Sequence, residues 1–501
     1  MSESLIQRQT NRWIALLPAL IILLGIALRT AEYLHNKAIW LDEAQLAVSI
    51  VQRGYVELLN PLEYKQTAPY AFLVAERWAV DQFGPGEYAL RLAPWLASIL
   101  ALPLLWVFLR RFLRFDGAVV ALALFALSPG VIRYASEVKP YALDVVVTIL
   151  LLVLAQRSLS ALNSGTWLLA LAIAGAVAVW CSIPAIFVLA GIGATLATEA
   201  ALDRRGGRFA ATVVAGILWL LSFGTYYQTV IRYTGDDAIL RSWWTDTFMP
   251  LPPRSLTDLN WFVRTFFDLF RDPIGTSAIG MGAFLFLLGV LSFLFRDRRA
   301  LLLLLAPMAF ALLASGLQRY PFTGRFLLFA TPLVLVLIGE GFQLLRARSR
   351  TALIPALIAV ILFTQPAIAG VRTLVKSDVP QGVRPAYAHL MEHYQEGDRV
   401  YVYHWAIAPL RYCMLRDGVD FPFVAGITAR ADWQYYIRDM EALYGNERIW
   451  LIFVNTPKPL VGEEEKFFTT WLDTQGERLD TLRAPESSVY LYDLSAAKTS
   501  S

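Results

Sequence analysis

Apolar runs of bilayer length recur between residues 13 and 371 of this chain, and nothing else in the sequence constrains its fold as strongly. Trp13–Leu28 and Leu301–Leu313 are two of them. A helix needs about 20 mostly apolar residues to cross the hydrocarbon core of a bilayer. Backbone polar groups find no water there, so a crossing segment bonds within itself as a helix or closes into a barrel. The runs lack the short alternating pattern of barrel strands, so the expectation is a mainly α, polytopic bundle. Composition agrees: 57% of the 501 residues are hydrophobic and 17% are charged. Soluble globular chains carry about a quarter charged residues, so a soluble, disordered or fibrous protein is excluded.

A hydropathy pass places about eleven spans. They fall near 13–30, 88–109, 117–133, 140–156, 166–180, 183–199, 209–231, 276–295, 300–317, 324–345 and 352–371. The first follows Arg8 and Arg12, is long and lacks a small-residue cleavage pattern, so it reads as a retained membrane helix. With a cytoplasmic N-terminus, the inner loops hold Arg110, Arg111, Arg114, Arg157, Arg204, Arg205, Arg208, Arg296, Arg298, Arg299, Arg346, Arg348 and Arg350. That is the positive-inside pattern, and an odd number of spans then leaves the C-terminus outside. The balance of 44 Lys and Arg against 40 Asp and Glu says little about partners. No basic face with interleaved aromatics suggests nucleic acid. Two cysteines, Cys181 and Cys413, are too few for a metal or disulfide framework.

Three outer segments are long or unusually polar. The first, 31–87, carries Trp40-Leu41-Asp42-Glu43 and then Leu46, Ile50 and Val51 at helical intervals, which predicts a surface helix lying along the membrane. The second contains Glu137, Lys139 and Pro140; the third, 232–275, holds Asp236, Asp237, Trp243, Trp244, Asp246 and Trp261. After residue 372 the texture changes. Strand-like runs at Arg399–His404, Arg448–Asn455 and Ser488–Leu494 alternate with helix-like stretches, which predicts a soluble α/β domain over 372–501 beside a membrane domain over 1–371.

Chemistry concentrates at the outer edge. Asp42 and Glu43 lie just beyond the first span, where a carboxylate could deprotonate an incoming hydroxyl or, equally, cap a helix. Glu137 and Lys139 precede Pro140 at a helix N-terminus, an end suited to phosphate; a plain Glu–Lys ion pair fits as well. Asp144 stands within a span, where acids are costly and tend to be functional. Arg319 and Arg325 share one short outer loop against the positive-inside bias, which calls for an anion or for lipid head groups, and Lys65 has the same two readings. The tryptophans suit an interfacial belt or a sugar platform. His35, His389, His393 and His404 lack metal-ligand spacing, so no zinc site is expected. No Walker lysine loop, nucleophile elbow or dinucleotide fingerprint occurs.

Trp-Leu-Asp42-Glu43-Ala, soon after the first span, resembles the first outer-loop motif of the GT-C superfamily of membrane glycosyltransferases. Arg133-Tyr-Ala-Ser-Glu137-Val-Lys139-Pro140-Tyr141-Ala-Leu is similar to the second outer-loop segment of bacterial protein mannosyltransferases and lipid A aminoarabinose transferases. The resemblance implies a multi-pass enzyme of the bacterial inner membrane that takes a sugar from a polyprenyl-phosphate donor, with inversion, to a hydroxyl of an envelope acceptor. It casts Asp42 as general base, with Glu43 orienting it or the acceptor. Lys65, Lys139, Arg319 and Arg325 would meet the donor phosphate, and Glu137, Tyr141 and Asp144 the substrate. No cofactor is certain, and a divalent metal stays open. Many relatives carry a His-Pro-Pro-like segment where this chain reads Gln66-Thr67-Ala68-Pro69, which leaves the acceptor unassigned. The rival readings are a secondary transporter or flippase for a lipid-linked sugar, and a non-catalytic assembly subunit.

Overall fold

The computed structural model describes residues 2–160, 164–233, 244–276, 278–375, 382–430, 432–454 and 460–497. Trp243, Asp236 and Asp237 lie outside the described residues. Among those described, nine helices are long and apolar enough to cross a membrane. A tenth crossing results if Phe115–Leu127 and Pro129–Ser136, bent by 50°, count as one span, and Gly165–Cys181 is a shorter apolar helix. The protein is a polytopic helical membrane protein.

The segment Gly324–Arg348 forms the hub, with 94% of its apolar window buried inside the bundle. Its neighbour Ile279–Arg296 approaches backbone to backbone, because a Cβ on Gly289 would fall 2.0 Å from the Leu337 carbonyl oxygen and one on Gly341 2.0 Å from that of Leu285. Small residues at such crossings let helices gain van der Waals contact where lipid supplies no hydrophobic drive. At one end the arginine-rich loops interlock: Arg346 pairs with Asp116 at 2.6 Å, Arg299 with Glu199 at 2.5 Å and Arg296 with Glu340 at 3.0 Å.

The bend in the 115–136 pair has a visible cause. Pro129 has no N–H, so the Phe125 carbonyl four residues back loses its helical donor. Arg29, fully buried on the first span, donates to the carbonyls of Phe125 at 3.0 Å and Ala126 at 3.1 Å, and to Ser98 Oγ at 2.7 Å. The bend turns the chain into 128–140 and so aims that segment at the helix Leu41–Gln52.

The C-terminal part is an α/β layer structure. Strands β1 (Arg399–Val402), β2 (Val424–Ala425), β3 (Ile449–Val454), β4 (Glu477–Arg483) and β5 (Ser487–Asp493) form one sheet in the order β2-β1-β3-β5-β4. The first three are parallel; β5 runs antiparallel to both β3 and β4. On one face Tyr436, Phe468, Tyr401 and Tyr490 pack beneath the helices Gln434–Glu441 and Leu460–Gln475. On the other face the helices Arg384–His393 and Ile407–Asp417 share a core with residues of the 31–87 segment, among them Leu46, Ile50, Phe72 and Leu73. This corrects one expectation. The helix Leu41–Gln52 exists, but Leu46 and Ile50 are fully buried under the C-terminal layer and do not lie on lipid. An amphipathic pattern shows that a face is covered, and protein covers this one.

Candidate functional site

Trp40, in extended backbone, leads into the helix Leu41–Gln52, and the adjacent acids of its first turn point in different directions. Glu43 turns inward. It is 1% exposed and accepts from Arg91 Nε at 3.1 Å, Arg91 Nη2 at 2.8 Å and the Val138 N–H at 2.8 Å. It also accepts from the Trp40 N–H at 3.4 Å, so the helix start is closed by Glu43 and not by Asp42. One carboxylate thereby joins three pieces of chain: this helix, the start of the span Leu92–Leu109, and the 137–139 turn.

Asp42 turns the other way and meets two cations. Lys139 Nζ donates to Oδ1 at 2.9 Å, and Arg325 Nη1 lies 2.8 Å from Oδ2. Lys139 also donates to Gln66 Oε1 at 2.9 Å, and Gln66 in turn donates to Gln45 Oε1 at 2.9 Å. Arg325 is boxed by rings: its guanidinium carbon lies 5.7 Å from the Trp40 centroid, 5.6 Å from that of Trp244 and 5.9 Å from that of Tyr141. A flat guanidinium among aromatic faces keeps its orientation while its edge stays available for fork-like bonds.

These groups border a cavity of about 290 Å³. Asp42, Lys65, Lys139, Arg319 and Arg325 line it together with Tyr141 and Asp144, so residues from four separate stretches converge. Ile183, Pro184, Ile231 and Phe248 give it an apolar side. Lys139 and Pro140 also place the N-terminus of the helix Tyr141–Ser160 at its edge, which adds unpaired N–H groups to the four cations. Tyr64 and Lys65 hold left-handed backbone, φ 53° and 56°, an unusual conformation for non-glycine residues that aims the Lys65 stem at the cavity. Asp144 is buried, and its Oδ1 has no hydrogen-bond partner.

Two of the acids stand outside. Glu43 does not line the cavity, and neither does Glu137, which pairs with Arg133 at 3.0 Å and not with Lys139. A larger cleft of about 530 Å³ lies beyond the 129–137 turn against Arg133, Arg271 and Asp272, and it contains neither Asp42 nor Lys139.

Opposed influences set the charge on the acids. Burial pushes Asp42 upward, but Lys139 and Arg325 outweigh it and hold the carboxyl below its ordinary range. Burial, reinforced by Glu43, raises Glu137 to about 7 against the pull of Arg133. Both oxygens of Asp42 are occupied by cations and Glu137 is turned toward Arg133, which leaves Asp144 as the one carboxylate on the lining without a cation, so the donor set at this cavity does not fit a divalent ion.

Gln66, Trp40 and Arg91 were not marked as site residues by sequence reasoning. Arg91 carries a signal in retrospect, since it is an arginine at the start of an apolar span. Trp40 stands in the Trp-Leu-Asp42-Glu43-Ala motif and Gln66 in the segment that departs from the relatives' pattern, but neither position by itself marks a side chain of the site.

A scan of protein-family models and a search of curated proteins return no match. Solved structures do match. The chain is similar to ArnT from Cupriavidus metallidurans bound to undecaprenyl phosphate, with a TM-score of 0.60 at 12% identity over 97% of this chain and 99% of that one. It is also similar to the oligosaccharyltransferase AglB of Archaeoglobus fulgidus, in complex with an inhibitory peptide and a dolichol-phosphate (TM-score 0.53, 12% identity, 88% of this chain and 69% of that one). The same archaeal enzyme with Zn and sulfate gives a TM-score of 0.50 at 14% identity over 80% of this chain and 61% of that one. The chain shares its fold with these proteins. The match to ArnT extends through the C-terminal α/β layers as well as the membrane bundle.

Proposed function

We propose that this protein is a membrane glycosyltransferase that moves a sugar, with inversion, from a polyprenyl-phosphate donor to a hydroxyl of a cell-envelope acceptor. One observation carries the reading: Asp42 is clamped between Lys139 and Arg325 at the mouth of a cavity that also holds Lys65 and Arg319. A lipid phosphate needs cations beside an apolar wall, and this cavity has both. The fold it shares with ArnT, whose structure holds undecaprenyl phosphate, supports the same chemistry.

The charge balance suggests how the donor arms the base. An Asp held low by two cations is a weak base. When the donor phosphate takes Lys139 and Arg325 for itself, Asp42 loses both partners while staying buried, and burial alone raises its proton affinity. Asp42 then accepts the proton of the acceptor hydroxyl as that oxygen attacks the anomeric carbon. The C–O bond to phosphate breaks, and the departing oxygen is met by Lys139, Arg325, Lys65 and Arg319, electrostatic help that is strongest where water is scarce. Glu43 takes no direct part: it fixes the helix turn from which Asp42 projects. Asp144 and Tyr141 contact the sugar or the head group. In this reading the cavity faces the extracytoplasmic side, 1–371 is the catalytic membrane domain and 372–501 an outer domain.

The suggestive charges gather at one end of the bundle, which favours transfer over transport, since transporters place their sites near the midplane. Purified Asp42→Asn protein, given a polyprenyl-phosphate sugar and an envelope extract, should lose about 100-fold or more in transfer rate while still binding the lipid. Transfer at the wild-type rate would remove Asp42 from its role.

A further inference from the structure

A second cluster of chemistry-bearing side chains lies outside the cavity, in the C-terminal layers. His389 and His393 stand one turn apart on the helix Arg384–His393, with ring centroids 4.3 Å apart. The helix packs against the sheet so that this face meets Asp480 of edge strand β4, which is 91 residues from His389 in sequence. A register shift between Arg478 and Asp480 accompanies the placement, the kind of irregularity that re-aims a strand side chain. One ligand atom from each of the three residues lies within 4.8 Å of the other two.

We propose that His389, His393 and Asp480 form a transition-metal site, with Zn²⁺ as its natural occupant, that clasps this helix to the edge of the sheet. The donor set is two imidazoles and one carboxylate, which suits zinc with water in the fourth position. Two of the three donors, His393 and Asp480, are also oriented by a backbone bond of the kind that supports metal ligands. His393 Nδ1 lies 3.0 Å from the His389 carbonyl oxygen, to which it can only donate, so Nε2 carries the free lone pair. The Thr481 N–H donates to Asp480 Oδ1 at 2.7 Å and leaves Oδ2 to face the histidines. His389 Nε2 lies 2.7 Å from that Oδ2. Zinc bonds of about 2.0–2.2 Å set tetrahedral donors about 3.4 Å apart, wider than the 2.7 Å between His389 Nε2 and Asp480 Oδ2 and inside the 4.8 Å that bounds all three ligand atoms, so small side-chain shifts close the site. His393 is exposed and His389 and Asp480 are half-buried, which leaves an entry path for the ion. Spacing in the sequence could not show this, because a helix pair of histidines has no third donor until the sheet brings one.

The test uses the full-length protein in detergent, freed of metal by chelation and carrying no histidine tag. After equilibration with ZnCl₂ and gel filtration, elemental analysis should find one zinc per chain, and added zinc should raise the thermal midpoint. His393→Ala, which removes an exposed side chain, and Asp480→Asn, which keeps shape and the Thr481 bond, should each bind zinc at least about 10-fold more weakly and lose the thermal shift. Neither residue lines the cavity at Asp42, so sugar transfer reads separately. Wild-type protein that takes up no stoichiometric zinc, or either variant retaining it at wild-type affinity, overturns the site.

Discussion

At the scale of single residues, Asp42 and Glu137 show how neighbours divide the labour of similar carboxylates. Asp42 is exposed to two cations and stays ionised, whereas Glu137 is buried near Glu43 and rises to about 7. A carboxyl raised in the folded state favours its neutral form. Its contribution to stability is therefore full below the unfolded value of about 4.3 and is lost as pH climbs through about 7. Ionisation there also adds a negative charge beside Arg325, which Glu137 already influences. Glu137→Gln should remove a pH-dependent change in kcat/KM near pH 7 and flatten the loss of thermal midpoint over the same range. An unchanged pH profile in the variant would contradict this. The meeting of Asp42, Lys139 and Arg325 was legible in the sequence, because each is a charge at the edge of an apolar span and asks for a partner. Which acid each cation would choose was not legible. Glu137 and Lys139 are two residues apart and seem a natural pair on paper, yet backbone direction sends one to Arg133 and the other to Asp42.

At the scale of elements, the pair Glu43–Arg91 decides whether Asp42 is aimed at all. Both side chains are nearly inaccessible, 1% and 3% exposed, and their two-pronged contact spans 48 residues. Removing one partner of such a pair strands a buried charge at about 3–5 kcal/mol. Glu43→Ala should therefore lower the thermal midpoint sharply and depress transfer, and combining it with Arg91→Leu should restore stability more than transfer. Equal recovery of both would show that the pair only stabilises. The spans themselves were legible, since hydropathy leaves few alternatives. The bend at Pro129 and its satisfaction by Arg29 were not, because a proline marks a lost donor without naming the group that replaces it.

At the scale of the whole molecule, the C-terminal layers and the 31–87 segment form one core. Glu87, just ahead of the span Leu92–Leu109, binds Arg384 at 2.8 Å and Arg416 at 3.0 Å, both from the C-terminal helices. Burial opposes its ionisation, but Arg384 and then Arg416 prevail and hold it below the ordinary range. A carboxyl lowered in this way stabilises above the unfolded value of about 4.3, and the contribution fades as pH falls through the folded value. Thermal midpoints should drop steeply in wild type below about pH 4, while Glu87→Gln should start lower at pH 7 and lose less on acidification. A parallel loss in both would place the acid sensitivity elsewhere. Strand and helix texture after residue 372 announced the sheet; its docking on Leu46 and Ile50 did not show, because apolar periodicity is blind to what covers it.

The central claim is an exchange of anions, phosphate for Asp42, at Lys139 and Arg325. The most direct measurement is a cryo-electron microscopy structure of the protein with bound polyprenyl phosphate. The account predicts phosphate oxygens within hydrogen-bonding distance of Lys139 and Arg325, with Asp42 detached from both. A head group seated elsewhere, or Asp42 still clamped between the two cations, would contradict it.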